Sequence, residues 1–467
     1  MVRRIGLLTF SDGRPEAHAE LLEMNRAFQE RVVQALSAVD EIELVVGDEI
    51  ISTPEEAKRQ AHRLKAAEVD GTIFNFSIWC FPHLGVIAAQ HGKGPYLLLS
   101  NLNPRYAGLV GMMATAGSLD QLGIKNSRVW GDVQDPKVLD QIIRFARAAS
   151  VVSRLKGQTY GQIGGRSMGM YTAVADLRQW QLQFGVDVEH IDELEIVRRA
   201  STIDPERVEK AFRWLTERIG HIVYNNMFTE DKLRYQIRTY MATKEIVRDF
   251  NLHFIGIKCQ PEMADHYCSL CLSQAFLNDP YDMEGSKTIT PTACECDMDG
   301  ALTMQILHLL TDLPVLFFDF RHYDPEEDIY VFSNCGSQST WYAGRSQMPE
   351  ENLRPVSFYP QTPTFYRASG ATVQYMAAAG EVTIARLARR NGRYWMAIMP
   401  GEFVTYPVEK MEETSPEWPQ AFTKLKVKPD ELIRVYGSNH AHGVAGYWVP
   451  ELVKICELLD VEPVVFA

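Results

Sequence analysis

The sequence contains no apolar run as long as a membrane span. The longest runs, such as residues 313–318 and 96–99, fall far short of the roughly 20 residues that a transmembrane helix needs. The first residues, Met-Val-Arg-Arg, lead straight into a strand-like Ile-Gly-Leu-Leu-Thr-Phe, without the apolar region or cleavage site of a signal peptide. We therefore expect a cytoplasmic protein with no membrane partner.

Positive charge is also scarce. There are 47 Lys and Arg residues against 60 Asp and Glu residues, which gives a formal net charge of −13. Nucleic acids and anionic membranes are recognised through basic surfaces, so this balance argues against either as the main partner. We expect the partner to be a small molecule.

Motifs for zinc ribbons and dinucleotide binding are missing. The pairs Cys268-x-x-Cys271 and Cys294-x-Cys296 lack a matching second half at zinc-ribbon spacing. The turn at residues 164–166 reads Gly-Gly-Arg and lacks the Gly-x-Gly-x-x-Gly spacing. We interpret the eight cysteines as thiols in a reducing compartment.

A length of 467 residues suggests about three domains. Short apolar runs alternate with amphipathic stretches, a pattern typical of parallel, doubly wound sheets. The predicted strands are residues 4–10, 43–46, 71–76, 96–99, 160–163, 222–224 and 254–257, and the predicted helices are residues 17–39, 54–67, 84–90, 204–218 and 231–250. We predict a first α/β domain at 1–155 and a second at 156–340.

Beyond residue 340 the sequence becomes rich in Gly, Pro, Thr, Val and Tyr, with short alternating runs. Residues 373–377, 381–387 and 394–399 read as strands, and residues 450–459 read as a closing helix. The predicted fold class is therefore α/β: two doubly wound α/β domains followed by a mostly β, barrel-like domain at 341–467.

The most informative stretch reads as a strand at 290–295, a helix at 300–310 and a buried strand at 315–318. Asp297 or Asp299 can cap the helix. Interpreted as a βαβ crossover, this stretch places both strands parallel in one sheet. Glu295 and Asp319, at the carboxyl ends of the strands, would then lie within roughly 5–10 Å of each other.

Two ionised carboxylates that lie close together repel each other, and a divalent cation between them compensates this repulsion. The loop Ser438-Asn-His-Ala-His-Gly443 offers His440 and His442 as a further ligand. Two carboxylates with one imidazole suit Mn²⁺, Mg²⁺ or Co²⁺ better than a structural Zn²⁺.

These blocks resemble the L-fucose isomerase family. The resemblance is carried by Glu295-Cys-Asp-Met-Asp-Gly-Ala-Leu-Thr-Met-Gln, Phe317-Phe-Asp-Phe-Arg and the Ser438–Gly443 loop. Cys268-Ser-Leu-Cys-Leu, Asn334-Cys-Gly and Trp79 extend it over most of the chain. The related L-arabinose isomerases carry an extra metal-site histidine after the second acidic strand, where this chain has none.

The resemblance implies a homo-oligomer, a trimer or hexamer, that interconverts an aldose and a ketose through a cis-enediol with Mn²⁺ bound, or with Co²⁺ or Mg²⁺ in its place. It implies that Glu295, Asp319 and His440 hold the metal. The two carboxylates would also move the proton between sugar carbons 1 and 2. Arg14 and Trp79 would reach the site of a neighbouring subunit.

It further implies sugar binding by Gln260 and Asn439. The implied substrate is L-fucose, D-arabinose or a related hexose, including a sulfonated one such as sulfoquinovose.

Other interpretations stay open at this point. Asp297 and Asp299 read as caps and supporting groups rather than ligands, and His442 reads as the lesser of the two histidines. Paired α/β domains also build non-catalytic sugar-binding proteins. Two carboxylates also serve glycosidases, which need no metal.

Overall fold

The computed structural model describes residues 2–467, which form two compact units. The first unit runs up to Lys156 and includes Pro450–Leu459, while the second comprises Gly157–Val449 and Asp460–Ala467. Within residues 2–467, none of the helices is both long enough and apolar enough to cross a membrane.

The first unit is built on a five-stranded parallel sheet of order β2-β1-β3-β4-β5. This is a doubly wound order, in which all strands run parallel and the direction in which successive strands are added reverses between β1 and β3. Its elements are β1 (Arg3–Thr9), α1 (Pro15–Ser37), β2 (Ile42–Val46), α2 (Pro54–Ala66), β3 (Gly71–Phe76), α3 (Pro82–His91), β4 (Tyr96–Ser100), α4 (Gly108–Gln121), β5 (Asn126–Trp130) and α5 (Pro136–Leu155).

Local sequence signals explain several of these boundaries. A capping box of Thr53 and Glu56 starts α2, and Pro54 occupies its first turn, where the missing N–H costs nothing. The strands β3 and β4 are buried throughout, because helices cover both faces of the sheet. The predicted alternation of strands and helices is confirmed here.

The second unit begins with a four-stranded parallel sheet of order β12-β9-β6-β7. Its elements are β6 (Thr159–Ile163), α6 (Leu177–Gln183), β7 (Asp187–Ile191), α7 (Leu194–Ala200), α8 (Pro205–Thr216), β8 (His221–Ile222), α9 (Glu230–Asp249), β9 (Phe254–Ile257), α10 (Glu262–His266), α11 (Cys271–Asn278), β10 (Tyr281–Asp282), β11 (Gly285–Ser286), β12 (Thr292–Cys294) and α12 (Met298–Thr311). The carboxyl ends of β9 and β12 lie side by side, at the edge where α/β proteins bind ligands.

The rest of the second unit is an antiparallel barrel. Its elements are β13 (Leu316–Asp324), β14 (Ile329–Ser333), α13 (Pro349–Leu353), β15 (Ser357–Phe358), β16 (Gly380–Arg390), β17 (Arg393–Phe403), β18 (Gln420–Leu425), α14 (Pro429–Val435), β19 (His440–Ala445) and β20 (Glu462–Val465). Between β19 and β20 the chain forms α15 (Val449–Leu459), a helix of the first unit. The strands follow the order β16-β19-β13-β14-β18-β17, and β17 pairs back with β16 to close the ring. The predicted fold class is confirmed.

The predicted βαβ crossover is wrong. The strand after α12 does not join the parallel sheet; β13 instead pairs antiparallel with β14 and β19 in the barrel. The hairpin formed by β13 and β14 buries the aromatic face of β13 against other barrel strands, which the parallel sheet could not offer. Residues 373–377, predicted as a strand, form only isolated bridges.

The helix α12 joins the two parts of the second unit. Every residue from Met298 to Leu310 is buried, and the helix contacts β9 and β12 as well as β16 and β19. A helix that is apolar all round needs such cover on every side. Its N-terminus is thereby fixed between the edge of the parallel sheet and the barrel.

The closing helix α15 belongs to the first unit. Glu451 in its first turn, 5% exposed, forms a 2.7 Å ion pair with Arg147 of α5, which also pairs with Glu41. The prediction of a helix at 450–459 is confirmed.

Candidate functional site

Three side chains from separate elements of the second unit meet at one point. Glu295 directly follows β12, Asp319 lies within β13, and His440 opens β19 directly opposite Asp319. His440 Nε2 lies 3.0 Å from Glu295 Oε2 and 3.6 Å from Asp319 Oδ1. The structure thus brings together the three residues predicted to hold a metal. They meet because β13 and β19 pair in the barrel, and not because β12 and β13 share a parallel sheet.

Asp297 fixes the orientation of the histidine. His440 Nδ1 donates a 2.7 Å hydrogen bond to Asp297 Oδ2, which leaves Nε2 facing the two carboxylates. The same carboxylate accepts from the backbone N–H of Gly300, as the cap of α12, and from the guanidinium of Arg386. All three side chains of this Arg386–Asp297–His440 series are buried.

Charges around the site shift several pKa values. Burial works to lower the pKa of His440, but the neighbouring carboxylates of Asp297 and Glu295 outweigh it and raise the pKa to about 10. Burial, reinforced by the Glu295 carboxylate, raises the pKa of Asp319 to about 6. Burial also works against ionised Asp297, but Arg386 and His440 overcome it and lower the pKa of that carboxyl group. A strongly negative field therefore surrounds Nε2.

Two buried polar atoms at this point have no hydrogen-bond partner. They are Glu295 Oε2 and His440 Nε2, which face each other without hydrogen-bond geometry. Buried polar atoms without partners are rare in proteins and indicate a missing ligand. Within residues 2–467, no three His, Cys, Asp or Glu side chains form a complete metal cage. The separations of 3.0 and 3.6 Å nevertheless match adjacent ligands around an ion at about 2.1 Å, so this donor set fits a hard divalent cation.

Two predicted sugar-binding residues flank this point. Asn439 Nδ2 donates a 3.0 Å hydrogen bond to Asp319 Oδ1. Gln260 follows β9, the strand beside β12, so that it and Glu295 extend from neighbouring carboxyl ends. Both positions allow side chains to contact a ligand at Glu295 and Asp319.

Models of three domains match the chain in order. The first N-terminal domain of L-fucose isomerase matches residues 2–157, the second N-terminal domain matches residues 158–252, and the C-terminal domain matches residues 332–466. The chain belongs to the L-fucose isomerase family. The family and the enzyme class predicted from the sequence, an aldose–ketose isomerase, are thereby confirmed.

Similar curated proteins are bacterial L-fucose isomerases. The chain is 23% identical to that of Vibrio vulnificus (strain YJ016) over 539 positions and 25% identical to that of Bacteroides fragilis (strain YCH46) over 553 positions. Each alignment covers 98% of this chain and 92% of the relative. Since the alignments are longer than this chain, the relatives carry segments that it lacks.

A periplasmic solute-binding protein from Actinobacillus succinogenes 130z, solved with bound D-allose, was also matched. It is 11% identical, with 67% of this chain and 92% of that chain covered, and the TM-score is 0.17. That score is too low to carry an argument about fold or function.

The remaining predicted residues of this L-fucose isomerase family member lie in the first unit. Arg14 follows β1 and Trp79 follows β3, so both lie at the carboxyl edge of the first sheet. Arg14 is exposed and pairs with Asp12 at 2.6 Å, and Trp79 is half-buried. Both residues belong to the first unit, whereas Glu295, Asp319 and His440 belong to the second.

Sequence reasoning missed two residues of the site. Arg386 lies 1% exposed in the middle of β16, and Phe317 packs its ring against His440 at 4.5 Å between centroids. An arginine between apolar neighbours, as in Ile384-Ala-Arg-Leu-Ala388, is itself a signal, because a buried charge requires a buried partner. His442, the lesser candidate, lies 3.3 Å from Arg386 and packs on the Phe317 ring at 5.0 Å between centroids.

Proposed function

We propose that this chain is a divalent-metal-dependent aldose–ketose isomerase that moves a proton between carbons 1 and 2 of a sugar through a cis-enediol. The observation that carries the proposal is the meeting of Glu295, Asp319 and His440 around two buried polar atoms without partners. Membership of the L-fucose isomerase family supports the same reaction.

Glu295, Asp319 and His440 Nε2 would hold the ion, with Mn²⁺ as the first choice and Co²⁺ or Mg²⁺ as alternatives. A bound divalent ion supplies Lewis-acid stabilisation of the negative charge that develops on the sugar oxygens. Asp297 orients His440 and keeps Nε2 aimed at the ion.

The proton transfer falls to the two carboxylates. A base that takes a proton from a sugar carbon and returns it to the next works best with a pKa near neutrality. In the metal-free protein, burial and Glu295 raise the pKa of Asp319 to about 6, a shift in the direction that this role requires. Asn439 donates to Asp319 Oδ1 and holds that carboxylate in one orientation.

We propose L-fucose, D-arabinose or a related hexose as the substrate, with a sulfonated hexose such as sulfoquinovose as one candidate. The curated relatives are named for L-fucose, which supports the first of these. Their identities of 23% and 25% leave room for a different sugar.

The test is an assay of ketose formation by metal-stripped protein, with and without added Mn²⁺. The panel contains L-fucose, D-arabinose, L-arabinose, D-glucose, D-mannose and sulfoquinovose. We expect Mn²⁺-dependent turnover of at least one sugar, abolished in Glu295→Gln and kept in Glu326→Gln, an exposed carboxylate in the turn after β13. Turnover that survives chelation would contradict a metal-dependent mechanism.

We further propose a homo-oligomer in which Arg14 and Trp79 complete the site of a neighbouring subunit. Their place at the carboxyl edge of the first sheet supports a binding role, since that edge binds ligands in α/β folds. Mixing Trp79→Ala subunits with Glu295→Gln subunits tests it: random reassembly should restore about a quarter of the sites. Mixtures that stay inactive, although native mass spectrometry shows mixed oligomers, would contradict shared sites.

A further inference from the structure

Three thiols cluster directly beside Glu295. Cys294, the last residue of β12, places its Sγ 3.6 Å from Sγ of Cys335, in the loop after β14. Cys271, the first residue of α11, donates its thiol to the carbonyl oxygen of Cys335 at 3.1 Å. The proposed reaction uses none of these groups.

Cys335 differs from every other cysteine in its access to solvent. Seven of the eight cysteines are buried, and Cys335 is partly exposed. The neighbouring thiols of Cys271 and Cys294 outweigh the effect of burial and lower the pKa of Cys335 well below its ordinary value. A partly exposed thiol with thiolate character is the kind that reacts with oxidants.

A hydrogen bond from Gln361 holds the backbone of Cys335 in place. Gln361 Nε2 donates to the Cys335 carbonyl at 2.6 Å and to Cys271 Sγ at 3.2 Å. The next residue, Gly336, has φ +100°, a conformation that favours glycine. The loop therefore keeps the Cys335 thiol close to Cys294.

We propose that Cys335 and Cys294 form an oxidation site at which hydrogen peroxide drives formation of a disulfide and thereby disables the neighbouring carboxylate, Glu295. The Cys335 thiolate attacks one peroxide oxygen, the O–O bond breaks, and hydroxide leaves with Cys335 as a sulfenic acid. The Cys294 thiol then attacks that sulfur, the S–O bond breaks, and water leaves. Two thiols lose two electrons in total, and the peroxide is reduced to two waters.

The consequence for the site follows from chain connectivity. A disulfide needs an S–S distance of about 2.05 Å, so the two sulfurs must close by roughly 1.5 Å from their present separation. Cys294 immediately precedes Glu295, whose backbone already occupies the left-handed region with φ 57°. A shift of Cys294 is therefore transmitted to the carboxylate that faces His440. This step rests on the proposed function, whereas formation of the disulfide does not.

The experiment treats the reduced full-length protein with hydrogen peroxide and follows three readouts. Peptide mapping by mass spectrometry should find a linked Cys294–Cys335 peptide, with two of the eight thiols lost. Mn²⁺ bound at equilibrium should fall about tenfold or more, and dithiothreitol should restore it. Sugar isomerisation should fall and recover in parallel.

Variants identify the thiols involved. Cys335→Ala should need about a tenfold higher peroxide concentration than the wild type for the same loss of Mn²⁺ binding. Cys456→Ser, which removes a buried thiol of the first unit, should behave like the wild type. A different linkage, or no linkage, in wild-type protein would overturn the oxidation site even if Cys335→Ala failed to fold. A linked peptide with unchanged Mn²⁺ binding would overturn the coupling to Glu295. A third outcome is a linked peptide and lost Mn²⁺ binding in a protein that turns over no sugar. This outcome would support the oxidation site and contradict the proposed isomerase activity.

Discussion

Replacing Asp297 by asparagine should weaken metal binding although Asp297 does not itself face the ion. The side chain stays the same size, but the negative charge that accepts from His440 Nδ1 and pairs with Arg386 is lost. The buried guanidinium of Arg386 is then left without its counter-charge. The variant therefore perturbs both the orientation of His440 and the stability of the second unit.

The size of the effect follows from the charges. Loss of a carboxylate behind a metal-binding histidine typically weakens metal binding 10–100-fold, which is about 1.4–2.7 kcal/mol. The same loss lowers the pKa of His440 and so reduces competition from the proton. The gain in metal affinity from weaker proton competition is smaller than the loss from the missing carboxylate charge. The reason is that a dication at Nε2 interacts about twice as strongly with Asp297 as a proton does. Breaking the buried pair should also cost about 3–5 kcal/mol of stability.

The assay is Mn²⁺ titration at pH 8 by calorimetry, with urea unfolding in chelator measured alongside. Asp299→Asn is the matched control. Asp299 is buried, lies in the same helical turn and pairs with Arg389 at 2.8 Å, but makes no contact with His440. We expect both variants to lose stability and only Asp297→Asn to lose affinity. Equal affinities in the two variants would refute the positioning role of Asp297.

Three further predictions concern pH, packing and the first unit. Apparent Mn²⁺ affinity of the wild type should rise about tenfold per pH unit from pH 7 to 9 and level off near pH 10. The reason is that His440, whose pKa is raised to about 10, must release a proton to bind the ion. An Mn²⁺ affinity that does not change with pH in the titration would contradict a protonated His440. Phe317→Ala should cost about 3–5 kcal/mol in urea unfolding and loosen both histidines that pack on the ring, while Phe317→Leu should cost less. Glu451→Ala should speed hydrogen exchange in α15 and α5, since Arg147 loses one partner; unchanged exchange there would show that the ion pair does not hold α15.

Much of the fold could be predicted from periodicity, and the exceptions have physical causes. Residues 71–76 and 254–257 form the predicted strands because each is a short apolar run between turn signals. The strand β13 was assigned to the wrong sheet because a strand–helix–strand pattern fits a crossover and an entry into a barrel equally well. The turn sequence Pro-Glu-Glu-Asp after Asp324 was the available signal for a hairpin.

Part of the candidate site could likewise be predicted from the sequence, and part could not. Glu295, Asp319 and His440 carry recognisable chemistry, and their meeting in the structure agrees with the expected grouping. The predicted cap at Asp297 is confirmed, yet its bond to His440 could not be predicted, because that contact depends on how the barrel packs on α12. Partners joined only by tertiary packing leave no local pattern in a sequence.

The helix α15 makes the assembly of the first unit depend on a segment that is synthesised long after the first sheet. Residues up to Lys156 leave the ribosome early, but Pro450–Leu459, which complete that unit, follow only after roughly 300 more residues. At about 5–20 residues per second, the first sheet waits some 15–60 s for its last helix. During that interval the surface of α5 around Arg147 is uncovered, and a chaperone able to bind nascent chains would find its site there.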